Sequence, residues 1–195
     1  MGLGERFLVW RLRRGDREGY RELIDRHHAG VYGYLRRLGA DSHRAEDLTQ
    51  ETYLKAWQRI ESLRDSTSLR SWLLTIARNE FLQWVRGEHP AVAFYGDVPE
   101  TIDLNPGVES TLDGKRRDEA VRDAVARLDP DLRETIALHY FQGLSLREVG
   151  EVMGVPVGTS KSRIHRALVD LRGLLESMEV DHEREGAEEQ AAGHS

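Results

Sequence analysis

"GVPVGTSKSRIHRALVDLRGLL", residues 154–175, reads as a tight turn running into a helix. Gly154 and Pro156 supply the turn, because glycine reaches left-handed backbone and proline cannot continue the preceding helix. At about 100° per residue, Val157, Ser160, Ile164, Leu168 and Leu171 gather on one stripe, expected to be buried. Thr159, Ser162, Arg166 and Val169 point the opposite way, with Lys161 and His165 flanking on one side and Arg163 on the other. Just upstream, Ser145 and Glu148 form a capping box for "LREVGEVM" (146–153). A short helix, a glycine turn and a second helix with a small polar and basic outer face describe a helix-turn-helix. Arginine and lysine suit guanine edges and phosphates, and serine reaches either. A surface helix with ordinary cationic decoration fits the same residues, so this helix alone does not decide for DNA. Ser160 stands in the stripe where an apolar residue is expected. Its hydroxyl is expected to bond back to a carbonyl of the preceding turn.

Composition narrows the rest. Of 195 residues, 39% are hydrophobic and 32% charged, which suits small helical units with wide wet faces. No run of roughly 20 apolar residues occurs, so a membrane-spanning helix is excluded. The opening "MGLGERFLVWRLRRGD" breaks into charge too early for a secretory signal. There is no cysteine, which rules out disulfides, thiolate metal sites and cysteine nucleophiles and fits a cytoplasmic location. The net charge of −6 is unevenly spread. Residues 86–114 carry six acidic side chains against Arg86, and residues 179–195 carry six against Arg184. The remainder is net positive, and local charge decides which polyanion can dock.

Four segments follow, in an all-α chain of two small helical domains joined by a flexible linker. Residues 1–86 form the first unit, almost wholly helical over 5–85: "ERFLVWRLRR" ends at Gly15, Asp16 caps the next helix, and Glu51 with Lys55 forms a favourable i,i+4 pair on the third. In "SWLLTIARNEFLQWV", Trp72, Leu73, Ile76 and Ala77 outline a buried face. Residues 87–114, with Pro90, Pro99 and Pro106 and no sustained period, read as an acidic flexible linker. Residues 115–178 form the helix-turn-helix unit, in which Asp129-Pro130 is a good helix start. Residues 179–195 read as an acidic disordered tail.

With these segments placed, "AEDLTQETYLKAW" (45–57), "SWLLTIARN" (71–79) and "LDPDLRETIALHYFQGLSLREVGEVMGVPVGTSKSRIHRALVDLR" (128–172) together resemble the extracytoplasmic-function sigma factors of bacterial RNA polymerase. "RRGDREGYRELIDRHHAGVYGYLRRLG" (13–39) is similar to that family's first helices. The resemblance implies an N-terminal sigma region 2 domain that binds core RNA polymerase and opens the promoter −10 element. It implies a C-terminal sigma region 4 domain that binds the −35 element as duplex DNA, and an anti-sigma factor as partner. Carried over by position, Asp47, Gln50 and Glu51 match the polymerase-binding face. A solvated acidic helix face and, with Glu46, a metal site are the other readings of that cluster. Lys55, Leu63, Arg64, Asp65, Ser66 and Asn79 match the −10 region; the polar loop "LRDSTS" (63–68) and the Asn79 amide are suited to hold an extruded base. Thr159, Lys161, Ser162, Arg163, His165 and Arg166 match the −35-reading helix, with Arg163 suited to phosphate or to an acidic neighbour.

Three positions depart from the family pattern. "EFLQWVRGEHP" (80–90) carries only Arg86 where an arginine-rich run is usual. Gly150 replaces alanine, with an expected cost of about 1 kcal/mol in helix propensity, and Ser160 replaces valine. The eight histidines are scattered, and no phosphate-binding glycine loop or positioned nucleophile occurs, so no cofactor, metal or enzymatic activity is expected. An ordinary helix-turn-helix regulator binding DNA alone is the competing class; it has no need of "AEDLTQETYLKAW".

Overall fold

A computed structural model describes residues 3–64, 68–88, 120–121 and 123–192. The linker reading for 87–114 therefore lies almost wholly outside the described residues. Every regular element among them is helical. Helix α1 spans Leu3–Arg13, α2 Arg17–Leu38 and α3 Ser42–Arg59. A 3-10 turn, Ile60–Ser62, leads towards α4, Leu69–Glu88. After a helical stretch over 123–127, α5 covers Pro130–Ile136 and widens into a π-helical turn, Ala137–Phe141. Helix α6 is Leu146–Met153, and α7 is Val157–Ala192. The α7 backbone thus runs on through most of the segment expected as a tail; its Glu- and Ala-rich sequence has high helix propensity.

The helix ends follow local chemistry. Asp16, Asp41, Asp129 and Ser145 each accept a backbone N–H with their side chains at the starts of α2, α3, α5 and α6. The Ser145–Glu148 capping box is complete in both directions. Gly39 closes α2 and Gly154 closes α6, both in the left-handed region. Helix α4 starts on Ser68, whose Oγ accepts the Ser71 N–H (3.1 Å), while Glu5 of α1 accepts the Leu69 N–H (2.7 Å).

One apolar core runs through both halves. Leu8 and Leu12 of α1, Leu23 and Leu35 of α2, Leu48 of α3, and Leu73, Ala77 and Phe81 of α4 pack together, and Leu138, Val149 and Val152 of the C-terminal half join them. A smaller core holds Leu128, Leu132, Ile136 and Ala167, with Ile164, Leu171 and Leu174 half-buried against it. Polar contacts tie the halves further. The buried Glu134 carboxylate accepts from Tyr34 Oη (2.5 Å) and from Arg78 Nε (2.8 Å) and Nη2 (3.3 Å). Buried Gln142 donates to the Gly30 carbonyl (2.9 Å), where a Cβ would lie only 3.2 Å from Gln142 Oε1.

The structure rotates the expected stripe of α7. Val157 and Leu168 are exposed, whereas Ala167 is fully buried on the same face as Ser160, two turns further on. Tight contact with α5 and α6 selects the small residues, and the larger apolar chains flank them. Ser160 does not bond back as expected. Pro156 O already accepts the N–H groups of Thr159 (2.9 Å) and Ser160 (3.2 Å), and Ser160 Oγ, wholly buried, has no protein partner. Gly150 also has a structural reason: a Cβ there would stand 2.7 Å from Val155 O and 3.1 Å from Ser160 Oγ.

Candidate nucleic-acid and polymerase interfaces

The three residues expected to meet polymerase lie on the outer side of α3. Asp47 is half-buried, with His43 Nδ1 at 3.2 Å and Arg44 Nη1 at 4.0 Å; Gln50 and Glu51 are exposed. Asp47 and Gln50 line an open cleft of about 590 Å³ with His28, Tyr32, Ser42, His43 and Glu46. His28 lies parallel to the Tyr32 ring (6.2 Å) and the Tyr53 ring (6.5 Å) and approaches Glu46 (3.7 Å). Glu51 opens onto a neighbouring cleft that Asp47, Lys55, Glu80 and Trp84 share. Sequence reasoning misses His28, Tyr32 and His43; His28 and Tyr32 reach α3 from α2, a tertiary contact with no local signal, whereas His43 stands four residues before Asp47 on α3 itself and is legible by that spacing. No metal-holding group of His, Asp and Glu side chains occurs among the described residues.

The −10 set is divided. Lys55 does not pair with Glu51: its ammonium meets the buried Glu80 carboxylate of α4, because an acid already held in the protein outcompetes a solvated neighbour. Leu63 is a core residue, so its side chain cannot meet DNA, and its carbonyl accepts from Arg13 Nη2 (2.6 Å). Its neighbours in "LRDSTS" are polar, which hides its burial. Arg64 and Asn79 are exposed, on the loop and on α4. Asp65 and Ser66 lie outside the described residues.

On α7, Lys161, Ser162, His165 and Arg166 are exposed on consecutive turns, and Thr159 is half-buried. Ser162 Oγ donates to Thr159 O (2.9 Å), and Arg166 reaches Asp170 only at 3.8 Å, so its guanidinium is nearly unspent. Arg163 leaves the set. It forms a close ion pair with Asp131 of α5, the acidic neighbour allowed for it, and braces the helix-turn-helix. The outer face is thus cationic and hydroxylated over two turns, with its base supported by α5 and α6, an arrangement suited to the edges of base pairs in a major groove.

Three ionisable groups are perturbed at the junction between the halves. Burial, with the Glu134 charge beside it, holds the Tyr34 hydroxyl well above the usual phenol range. Although burial works against it, Glu134 raises the Arg78 guanidinium. Burial, then Arg70 nearby, depresses His27.

Comparison with known proteins matches two family models in order, Sigma-70 region 2 over residues 23–89 and Sigma-70, region 4 over residues 118–171. The chain is 35% identical over 164 residues to the ECF RNA polymerase sigma factor SigL of Mycobacterium tuberculosis, covering 82% of this chain and 90% of the relative. It is 29% identical over 179 residues to the ECF RNA polymerase sigma factor SigW of Bacillus subtilis, covering 87% and 96%. Among solved structures, the sigma factor RpoE in complex with the anti-sigma factor NepR from Bartonella quintana superposes with a TM-score of 0.62 at 28% identity, covering 80% of this chain and 96% of that one. CnrH, in complex with the cytosolic domain of CnrY, shares the fold, with a TM-score of 0.66 at 23% identity over 89% and 97% of the two chains.

Proposed function

The chain belongs to the extracytoplasmic-function sigma factors of the sigma-70 family, and from this premise we propose how its own residues divide the work of promoter-specific initiation with RNA polymerase. Asp47, Gln50 and Glu51 offer an acidic and polar surface to a basic element of core polymerase, with the His28–Tyr32–His43 cleft beside them. Arg64 and Asn79, with Asp65 and Ser66 between them in sequence, hold the −10 strand once it is melted. Lys161, Ser162, His165 and Arg166 enter the −35 major groove, and Thr159 lies at the rim. Lys55, Leu63 and Arg163 act as positioning residues, through Glu80, Arg13 and Asp131 respectively.

The domain limits expected from the sequence, 1–86, 87–114, 115–178 and 179–195, are retained in this reading. The chain works in the cytoplasm and performs no catalytic step itself; no helix among the described residues is long and apolar enough to cross a membrane. Because the similar sigma factor RpoE was crystallised in complex with the anti-sigma factor NepR, we infer an anti-sigma factor as a partner of this chain as well.

The observation that carries the reading is the ordered pair of region 2 and region 4 matches, with an exposed basic face on the second helix of the helix-turn-helix. Reconstitution with core polymerase and run-off transcription tests it. Initiation at a defined start that is weakened in Arg166→Ala and in Asn79→Ala, with core binding intact, is expected. A chain that binds DNA specifically without polymerase and fails to join core would overturn it in favour of a free-standing regulator.

A further inference from the structure

The outer face of α1 belongs to none of these sites. Leu3, Phe7 and Trp10 recur on it at helical spacing, with Phe7 60% and Trp10 52% exposed. The two rings stack at 5.7 Å, and the Arg14 guanidinium lies 4.8 Å from the Trp10 ring. Arg6 and Arg14 are also exposed, Arg14 on the ridge and Arg6 beside it, whereas Arg13 turns to the Leu63 carbonyl and to Glu61. Glu5, the one acidic residue of α1, is spent on capping α4, and Arg11 is neutralised by Asp16 and Glu22. Thus an aromatic ridge is left in a positive field.

The ridge has a defined neighbour. Through Arg13, whose Nη2 donates to Leu63 O, the C-terminal end of α1 is fixed against the residue that precedes Arg64. A strand held at Arg64 lies close to this end of the helix. Single-stranded nucleic acid is bound by the combination seen here, aromatic faces for bases with cations for the backbone, and without sequence preference.

We propose that the Phe7–Trp10 ridge of α1, with Arg6 and Arg14, is a stacking platform for unpaired promoter DNA next to the −10 loop. This rests on the reading of Arg64 and Asn79 as −10 residues. The occupant is single-stranded DNA rather than protein because the field is cationic and Arg13 of the same helix holds the residue that precedes Arg64.

The test uses holoenzyme assembled from the full chain and core polymerase on a DNA bubble whose unpaired thymines are replaced by 5-iodouracil, which crosslinks on irradiation to aromatic rings stacked against it. Adducts are expected on Phe7 or Trp10, and the Phe7→Leu/Trp10→Leu variant should bind the bubble about tenfold more weakly while joining core normally. Adducts in residues 63–79 but none in α1 overturn the platform and leave the −10 reading standing. Adducts in neither segment overturn both. A variant that folds, by its circular dichroism, yet no longer joins core marks the ridge as a protein-binding surface and overturns the proposal.

Discussion

Replacing Glu134 by alanine should loosen the junction between the two halves more than any other single change. The carboxylate is 1% exposed and accepts three hydrogen bonds, from Tyr34 Oη and from two nitrogens of Arg78. Alanine leaves a fully buried hydroxyl and a guanidinium with no acceptor at that place. Removing one partner of a buried charged pair costs about 3–5 kcal/mol. Arg78 is 18% exposed and can recover some hydration, which places the expected loss nearer the lower value, about 3 kcal/mol. Glu134→Gln keeps an acceptor for Tyr34 but loses the charge facing Arg78, and should cost about half as much. Tyr34→Phe removes one hydrogen bond to a charged group, about 1.5–3 kcal/mol. Urea unfolding followed by circular dichroism measures all three, and small-angle scattering should show Glu134→Ala expanded relative to the parent. If Glu134→Ala unfolds within about 0.5 kcal/mol of the parent, the range of most surface substitutions, the carboxylate exchanges freely with water and the junction reasoning fails.

Further outcomes can be checked independently. Ser160→Ala should stabilise the C-terminal unit by about 1 kcal/mol, since it removes a buried hydroxyl without a protein partner and favours helix; thermal unfolding reads the gain, and promoter preference should not change. Gly150→Ala should destabilise by about 1–2 kcal/mol despite better helix propensity, because its Cβ meets the Val155 carbonyl at 2.7 Å; a rise in melting temperature would contradict this. Arg166→Ala should cost about 1–3 kcal/mol at one base pair of the −35 element and relax specificity there, measured by selection from randomised duplexes. For His27, the folded value is depressed below 6.5, so its contribution is present above that pH and is lost as pH falls through the folded value. The urea midpoint should therefore drop on acidification below about pH 6.5, and His27→Gln should flatten the slope.

Local chemistry is legible in the chain itself. The caps at Asp16, Asp129 and Ser145–Glu148 and the Gly154 turn depend on residues within a few positions of one another, so they stand in the sequence as they stand in the fold. The outer face of α7 is legible for the same reason, since Lys161, Ser162, His165 and Arg166 lie on one helix. What the sequence conceals is partner choice between elements. Lys55 has Glu51 four residues away and pairs with Glu80 instead. Arg163 looks like its cationic neighbours, yet Asp131 holds it. Leu63 is core inside a polar stretch, and the burial of Ala167 in place of Leu168 depends on how closely α5 and α6 approach.

The contacts joining the halves connect residues very far apart in sequence: Tyr34 and Glu134 are separated by 100 positions, Gly30 and Gln142 by 112. The halves are therefore a complex between two partners that happen to share one polypeptide, and the connecting chain sets their effective concentration. For a flexible connection the closure entropy grows only logarithmically with length, so doubling it adds merely about 0.6 kcal/mol. Insertions between Glu88 and Ala120 should leave the paired state nearly undisturbed. A single proteolytic cut in the same interval has a much larger effect: it turns an association that was independent of protein concentration into one that dilution dissolves.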